Sequence, residues 1–322
     1  MRYEVVYEDK YYLGELVRQI ALEDSLGEIA YRGTVVLEYN DSYPQEISLG
    51  KNMRISGTPY NIPEIKPFLQ GVIWEIESEW RTNKEITFTV YDRSIYLKSE
   101  EEYLFQTGLK ASDRIKRYLT DLGLPISKIE DTKIKLDKTI YRAQEICAMI
   151  KEDLRATVAK GGDMYRLYMT PAGMELRKIG SNDKIYEFVT EGANIFEITQ
   201  KRTLENLVSK VKVVGEAPDD MKSPVLKVVT GDTKYGVIQK IIQDDEIKNA
   251  SEAEQKAKIF LSGSEETFTF TTICIPQIRA GDLIKLNTMN LIVCEVRHEL
   301  TGVGKTTITC ASKEYVKRNY YG

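Results

Sequence analysis

The sequence predicts a mainly β, α+β protein, with two similar barrel-like β units at its ends and a smaller α+β region between them. Three observations carry this. Apolar and polar residues alternate with period two through the first hundred and the last sixty residues. The middle changes to helical spacing. The two β-rich ends also echo one another at a fixed offset.

Taken in order, residues 3–8 read as a short strand. Residues 34–39 read as another, carrying Val35, Val36 and Leu37. Residues 71–80 alternate, with Val72, Trp74 and Ile76 expected on one face and Glu75, Glu77 and Glu79 on the other. Residues 86–90 alternate cleanly, Ile86, Phe88 and Val90 against Thr87 and Thr89, after a turn near Asn83-Lys84. Residues 13–20 are open between a helical turn and a strand.

In the middle, Ser112 is expected to cap a helix over residues 113–122, with Ile115, Leu119 and Leu122 on one face and Asp113 at the positive end of the dipole. Gly123-Leu124-Pro125 stops it. A second helix is expected over residues 140–159, ending at Gly161-Gly162. Residues 165–169 and 174–179 read as a hairpin turning at Pro171-Ala172-Gly173. Beyond residue 185 strands return at 211–214, 267–275, 283–286, 291–300 and 306–311. A polar loop spans 216–224, and a short helix spans 252–261.

The echo appears when residues 72–92 are laid without a gap on 292–312, an offset of 220. Glu75, Glu79, Thr87 and Thr89 then fall on Glu295, Glu299, Thr307 and Thr309, and the apolar positions coincide. Upstream, the run from Gly50 to Ile55 resembles the run from Gly281 to Leu286. Both ends therefore read as a glycine-led strand, a long strand, a turn and a strand. Two such units per chain, three chains to a ring, would give six similar units around one axis.

The chain has 322 residues, 42% hydrophobic and 29% charged, with 45 basic and 49 acidic side chains and a net charge of -4. That balance argues against a nucleic-acid-coating protein, which carries a basic excess. Clusters such as Glu100-Glu101-Glu102 and Asp244-Asp245-Glu246 read as solvated surface. Acids near the N-terminus replace the apolar stretch of a signal peptide, and no run approaches a membrane span. Folding in the cytoplasm is expected. Cys147, Cys274, Cys294 and Cys310 form no Cys-x-x-Cys pair, so they read as small buried hydrophobes.

Catalytic signatures fail on inspection. Gly302-Val303-Gly304-Lys305-Thr306-Thr307 looks like a phosphate-binding loop, but Glu299 stands where its first glycine belongs, and a strand follows. His298, the single histidine, sits in an alternating strand with Cys294 and Val296, so a structural role is expected. One histidine excludes a multi-histidine zinc site. The acids form no evident pair for glycan cleavage. No catalytic residue, cofactor or metal is expected.

A longer series resembles a known family. Phe68-Leu69-Gln70-Gly71-Val72-Ile73-Trp74 is followed by Ile86-Thr87-Phe88-Thr89-Val90-Tyr91-Asp92 and Ser94-Ile95-Tyr96-Leu97. Then come Ala111-Ser112-Asp113-Arg114-Ile115, Leu122-Gly123-Leu124-Pro125, the run from Asn206 to Gly215, Lys234-Tyr235-Gly236 and Ala280-Gly281-Asp282-Leu283. In this order they resemble the baseplate hub family of PBSX-type prophages and related contractile particles, including diffocin-like R-type bacteriocins. The second helix and residues 216–222 match only loosely. Gly71, Trp74, Tyr91, Asp92, Tyr96, Tyr235, Gly236, Gly281 and Asp282 are the motif positions.

The resemblance implies a contractile-tail hub fold. Residues 1–106 would form a first tube-like β-barrel domain. Residues 107–184 and 233–262 would form the α+β middle domain, and residues 185–232 and 263–322 a second tube-like β-barrel domain. It also implies a homotrimer joining the sixfold tail tube to a threefold central spike around a channel. Wedge and tape-measure proteins would be further partners, with no membrane and no specific nucleic-acid binding. The particle would assemble in a bacterial host and leave on lysis. A distal tail or tube-adapter protein would carry one such barrel, and a tail-associated peptidoglycan hydrolase is the alternative of another class.

Overall fold

A computed structural model describes residues 2–39, 47–80, 84–192, 194–216, 222–243 and 249–322. The N-terminal part holds β1 (Tyr3–Tyr7), β2 (Tyr11–Tyr12), β3 (Val17–Ser25), β4 (Arg32–Glu38), β5 (Asn52–Gly57), β6 (Lys66–Trp80) and β7 (Lys84–Asp92). The middle holds β8 (Glu100–Phe105), α1 (Ala111–Asp121), β9 (Ile126–Ile129), β10 (Thr139–Glu145), α2 (Ile146–Ala159), β11 (Tyr165–Thr170) and β12 (Gly173–Lys178). The rest begins with β13 (Tyr186–Phe188), β14 (Ile195–Thr203), β15 (Lys210–Val214), β16 (Val225–Thr230), β17 (Gln239–Gln243) and α3 (Ala250–Phe260). It ends with β18 (Glu265–Ile273), β19 (Leu283–Leu286), β20 (Met289–Glu299), β21 (Lys305–Ala311) and α4 (Lys313–Tyr321). The fold is mainly β, as the alternation predicts. The acidic cluster at 244–246, Asn83, and residues 217–221 of the expected loop lie outside the described residues.

The two β-rich ends are built alike and belong to one sheet. Its strand order is β14-β18-β21-β20-β3-β4-β7-β6-β5-β1-β2, with β19 and β13 joined through β20. Each half therefore repeats one order, β3-β4-β7-β6-β5 in the first and β14-β18-β21-β20-β19 in the second. The hairpins agree residue by residue at the offset of 220. Ile76 faces Phe88 as Val296 faces Ile308, and Ser78 faces Ile86 as His298 faces Thr306. Both hairpins carry a bulge at the same place, between Ile73 and Glu75 and between Val293 and Glu295. The leading glycines match too. Gly50 N–H donates to the Ile73 carbonyl at 2.8 Å, and Gly281 N–H to the Val293 carbonyl at 2.7 Å. Both have positive φ, 76° and 95°, the left-handed region glycine favours.

The bulge corrects one expectation. Trp74 is the extra residue, so the alternation slips by one there. Ile73 is buried, Ile76 packs against the same core, and Trp74 turns outward at 48% exposure. Residues 13–20 resolve into a 3₁₀ turn at Gly14–Leu16 and the start of β3.

The halves meet where β3 pairs antiparallel with β20, from Ala21 opposite Glu299 to Ser25 opposite Glu295. Leu26 N–H extends this to the Cys294 carbonyl and Leu300 N–H to the Ile20 carbonyl. The first core, around Ile20, Val35, Ile55, Ile73 and Phe88, also takes in Leu300 and Cys274 from the second half. Phe270, Ile284, Val293 and Ile308 centre the second core.

In the middle, α1 begins one residue before Ser112. Lys110 is its N-cap, and its N–H donates to the Asp113 carboxylate at 3.1 Å. Ser112 instead exchanges hydrogen bonds with Thr132. The expected second helix starts late, at Ile146. Residues before it form β10, because Tyr141 and its neighbours pair with β8. α1 and α2 are pinned by buried Arg114 and Asp153 at 2.7 Å, and the hydroxyls of Tyr118 and Tyr141 donate to the same carboxylate.

The chain forms two compact units, one of Met1–Thr199 with Phe268–Ala311, the other of Gln200–Thr267 with Ser312–Gly322. The boundary falls within β14 and β18. In the smaller unit the sheet runs β16-β15-β17, with α3 against it through Ala253 and Ala257. The sequence reading sends residues 233–262 back to the middle region. Instead, β17 pairs parallel with β15 and α3 packs on that same sheet, so the segment closes its own small core. Helix α4, which the sequence analysis does not anticipate, is capped by Ser312 and ties Arg318 to Glu265 at 3.1 Å.

Candidate functional site

Five of the motif residues come together at the open end of the first hairpin, where β7 runs into the 3₁₀ turn Arg93–Lys98. Gly71 faces Asp92 across β6 and β7, and a Cβ on Gly71 would land on the Tyr91 carbonyl oxygen. Only glycine allows that approach. Asp92 is buried and caps the 3₁₀ turn Arg93–Lys98, accepting from Ser94 N–H at 2.9 Å, from the Ser94 hydroxyl, and from Tyr31 N–H at 3.2 Å. Burial pushes its carboxyl up to about 6, against those hydrogen bonds. Above it, the outward Trp74 meets Tyr91 edge-on at 6.1–6.4 Å together with Tyr96, the two rings at 6.4 Å and 6.1 Å respectively. Trp74 and Tyr96 are exposed and Tyr91 is half-buried, so this is an aromatic surface on a rigid base.

Gly281 and Asp282 hold the turn of the second half that matches the one at Gly50. A Cβ on Gly281 would meet the Tyr168 hydroxyl. Asp282 accepts from Arg279 N–H at 2.8 Å, and burial pushes its carboxyl up to about 6. Tyr235 and Gly236 stand apart, in the smaller unit. Gly236 closes a turn with Thr233 at a φ of 100°, its carbonyl accepts from the Ser209 hydroxyl, and Tyr235 is exposed.

The most constrained polar cluster is one that no sequence motif announces. Asp24, on β3, is fully buried. It accepts from Arg166 of β11 at 2.6 and 3.2 Å, and from Arg279 at 2.6 Å. Arg166 also donates to the carbonyls of Ala280 and Ser25, and Arg279 lies 3.7 Å from the Tyr31 ring centroid. Burial alone would raise the Asp24 carboxyl; the two guanidinium groups outweigh it and hold the group well below the carboxylate range. The cluster fastens the β3–β20 junction to the middle region. Sequence separations of 142 and 255 leave no local pattern to find.

The hydrogen bonds and ion pairs of these residues join strands and turns of the fold. His298 is fully buried, with one ring nitrogen on the Thr306 hydroxyl and the other on the Ile278 carbonyl, both at 2.9 Å. Burial pushes its pKa down to about 4. The glycine-rich run at 302–304 turns β20 into β21. A groove of about 570 Å³ runs beside the junction, and its Glu23 and Arg297 are already paired with each other. No cluster of metal-ligating groups occurs among the described residues.

Solved tail proteins share this fold. A 43 kDa tail protein of prophage MuSo2 from Shewanella oneidensis superposes with a TM-score of 0.74 at 11% identity, over 97% of this chain and 98% of that one. A type VI secretion component from E. coli, described as similar to the T4 tail proteins gp27 and gp5, superposes at 0.58 and 9% identity, over 92% and 74%. The chain belongs to the YqbQ-like family, whose model matches residues 58–307. It is 24% identical to the uncharacterized protein YqbQ and 24% identical to the phage-like element PBSX protein XkdQ, both of Bacillus subtilis, over 67% of each chain. The resemblance read from the motifs is thereby established.

Proposed function

We propose that this protein is the structural baseplate hub of a contractile tail. Three copies would join the sixfold tail tube to a threefold spike and line part of the central channel. The observation that carries this is the duplicated β unit, matched in strand order, register and bulge. A tube of six subunits presents six equivalent sites, and a trimer meets them one for one only if each chain offers two similar surfaces. A one-barrel adapter would lack the second. The kinship with a phage-like element protein and the tail-protein fold support the setting. The partners are the tube protein, the spike, and wedge and tape-measure proteins, in a particle assembled in its bacterial host. The motif turn at Gly71, Trp74, Tyr91, Asp92 and Tyr96 serves as a rigid docking surface.

A hydrolase is the reading this must defeat. In a zymogram with purified peptidoglycan, the protein is expected to leave no clearing. Clearing that a single acid substitution abolishes would overturn the structural assignment.

A further inference from the structure

In the smaller unit, one face of the sheet is covered and the other is bare. Strand β15 lies between β16 and β17. On the covered face, Val211, Val213 and Ile242 pack against Ala253 and Ala257 of α3. Beside them Lys227, opposite Val213, pairs with Glu254 of the same helix at 3.3 Å. Alternation along the strands sends Lys210, Lys212, Val228 and Ile241 to the other face. There Lys212 stands between Val228 on β16 and Ile241 on β17. Val228 is 40% exposed and Ile241 is 58% exposed, so no described element covers them.

The charge on this face is one-sided. Neither Lys210 nor Lys212 is ion-paired among the described residues. Thr230 and Gln239, which flank Lys210 on the neighbouring strands, are uncharged. At the Lys210 end, the loop entering β17 adds exposed Tyr235 and Val237. Apolar side chains around two unpaired lysines describe a sheet face that lacks its second layer.

We infer that this face docks an amphipathic helix of a partner protein, one that carries acids beside its apolar stripe. The covered face supplies the pattern, since α3 lays small apolar residues on the valines and answers a lysine with Glu254. A second helix of that kind covers Val228 and Ile241 and brings carboxylates to Lys210 and Lys212. A second copy of this chain does not fit through the same face, because self-pairing sets these lysines against lysines. A nucleic acid would meet the lysines and leave the apolar side chains uncovered. The inference stands apart from the hub reading and from the way copies of the chain assemble.

A peptide titration tests it. The full chain is added to a fluorescently labelled helical peptide of about 18 residues, with leucines at i, i+3, i+4 and i+7 and glutamates flanking them. A peptide with lysines in place of the glutamates and a labelled DNA duplex are the comparisons. The acidic peptide is expected to bind at least about tenfold more tightly than the basic one, and to lose at least about tenfold in affinity in Lys212→Glu and in Ile241→Asp. Lys210→Glu repeats the charge arm, and thermal midpoints check that each variant folds. Lys66→Gln, in the other unit, is expected to leave binding unchanged. No binding of the acidic peptide, equal binding of the two peptides, or affinity unmoved by the Lys210, Lys212 and Ile241 substitutions would overturn the inference. Preference for the duplex would overturn it in favour of a nucleic acid. A dimer of the chain that Ile241→Asp dissolves would overturn it in favour of a second copy.

Discussion

At the scale of single residues, Asp24 carries the heaviest constraint. Its buried carboxylate neutralises one buried and one half-buried guanidinium group from parts far apart in the chain. Removing one partner of such a cluster leaves uncompensated buried charge, so Asp24→Asn is expected to cost about 3–5 kcal/mol in urea unfolding. Glu64→Gln, which breaks only the exposed pair with Lys66, is expected to leave the midpoint unchanged. Equal effects would contradict the role given to the cluster. Asp92 makes a prediction in pH. Burial raises its carboxyl from 3.8 to about 6. A group whose folded pKa lies above its unfolded value contributes its stability below the unfolded pKa, and loses it as pH rises through the folded one. The margin of the natural protein over Asp92→Asn should therefore narrow between 3.8 and about 6. Urea midpoints on either side of that window check this, and a margin that widens with pH would contradict it.

At the scale of elements, the duplicated hairpin turns on its bulge. Its open end needs a close backbone approach at Gly71, where a methyl group would strike the Tyr91 carbonyl. Gly71→Ala is expected to cost about 1–3 kcal/mol, as overpacking does. Gly14→Ala, with open space around the new atom, is expected to cost far less by thermal unfolding. The hairpins are legible in the sequence because period two survives along them, and the offset aligns Val72 to Asp92 with its counterpart without a gap. The bulge is not legible, since one extra residue changes the phase of the pattern without changing its composition. That is why Trp74 is expected inside and stands outside. β10 is missed for a related reason: its partner β8 is distant in sequence, while Ile140 and Ile146 suit a helix equally well. The return of residues 233–262 is misplaced because β15 and β17 pair across a gap that carries no local signal. The motif turn is legible as residues, while its aromatic edge-on contacts and the Asp24 cluster exist only once distant strands meet.

At the scale of the whole molecule, one sheet carries both copies of the β unit, and the internal junction shows how one copy meets the next. In the proposed ring of three chains, two such units per chain would match a sixfold part to a threefold one. The proposed assembly is a trimer on the tail axis. Native mass spectrometry of the chain with its tube and spike proteins tests it most directly. A complex containing three copies of the 36.9 kDa chain is expected. A chain that stays a monomer with both partners present would contradict it.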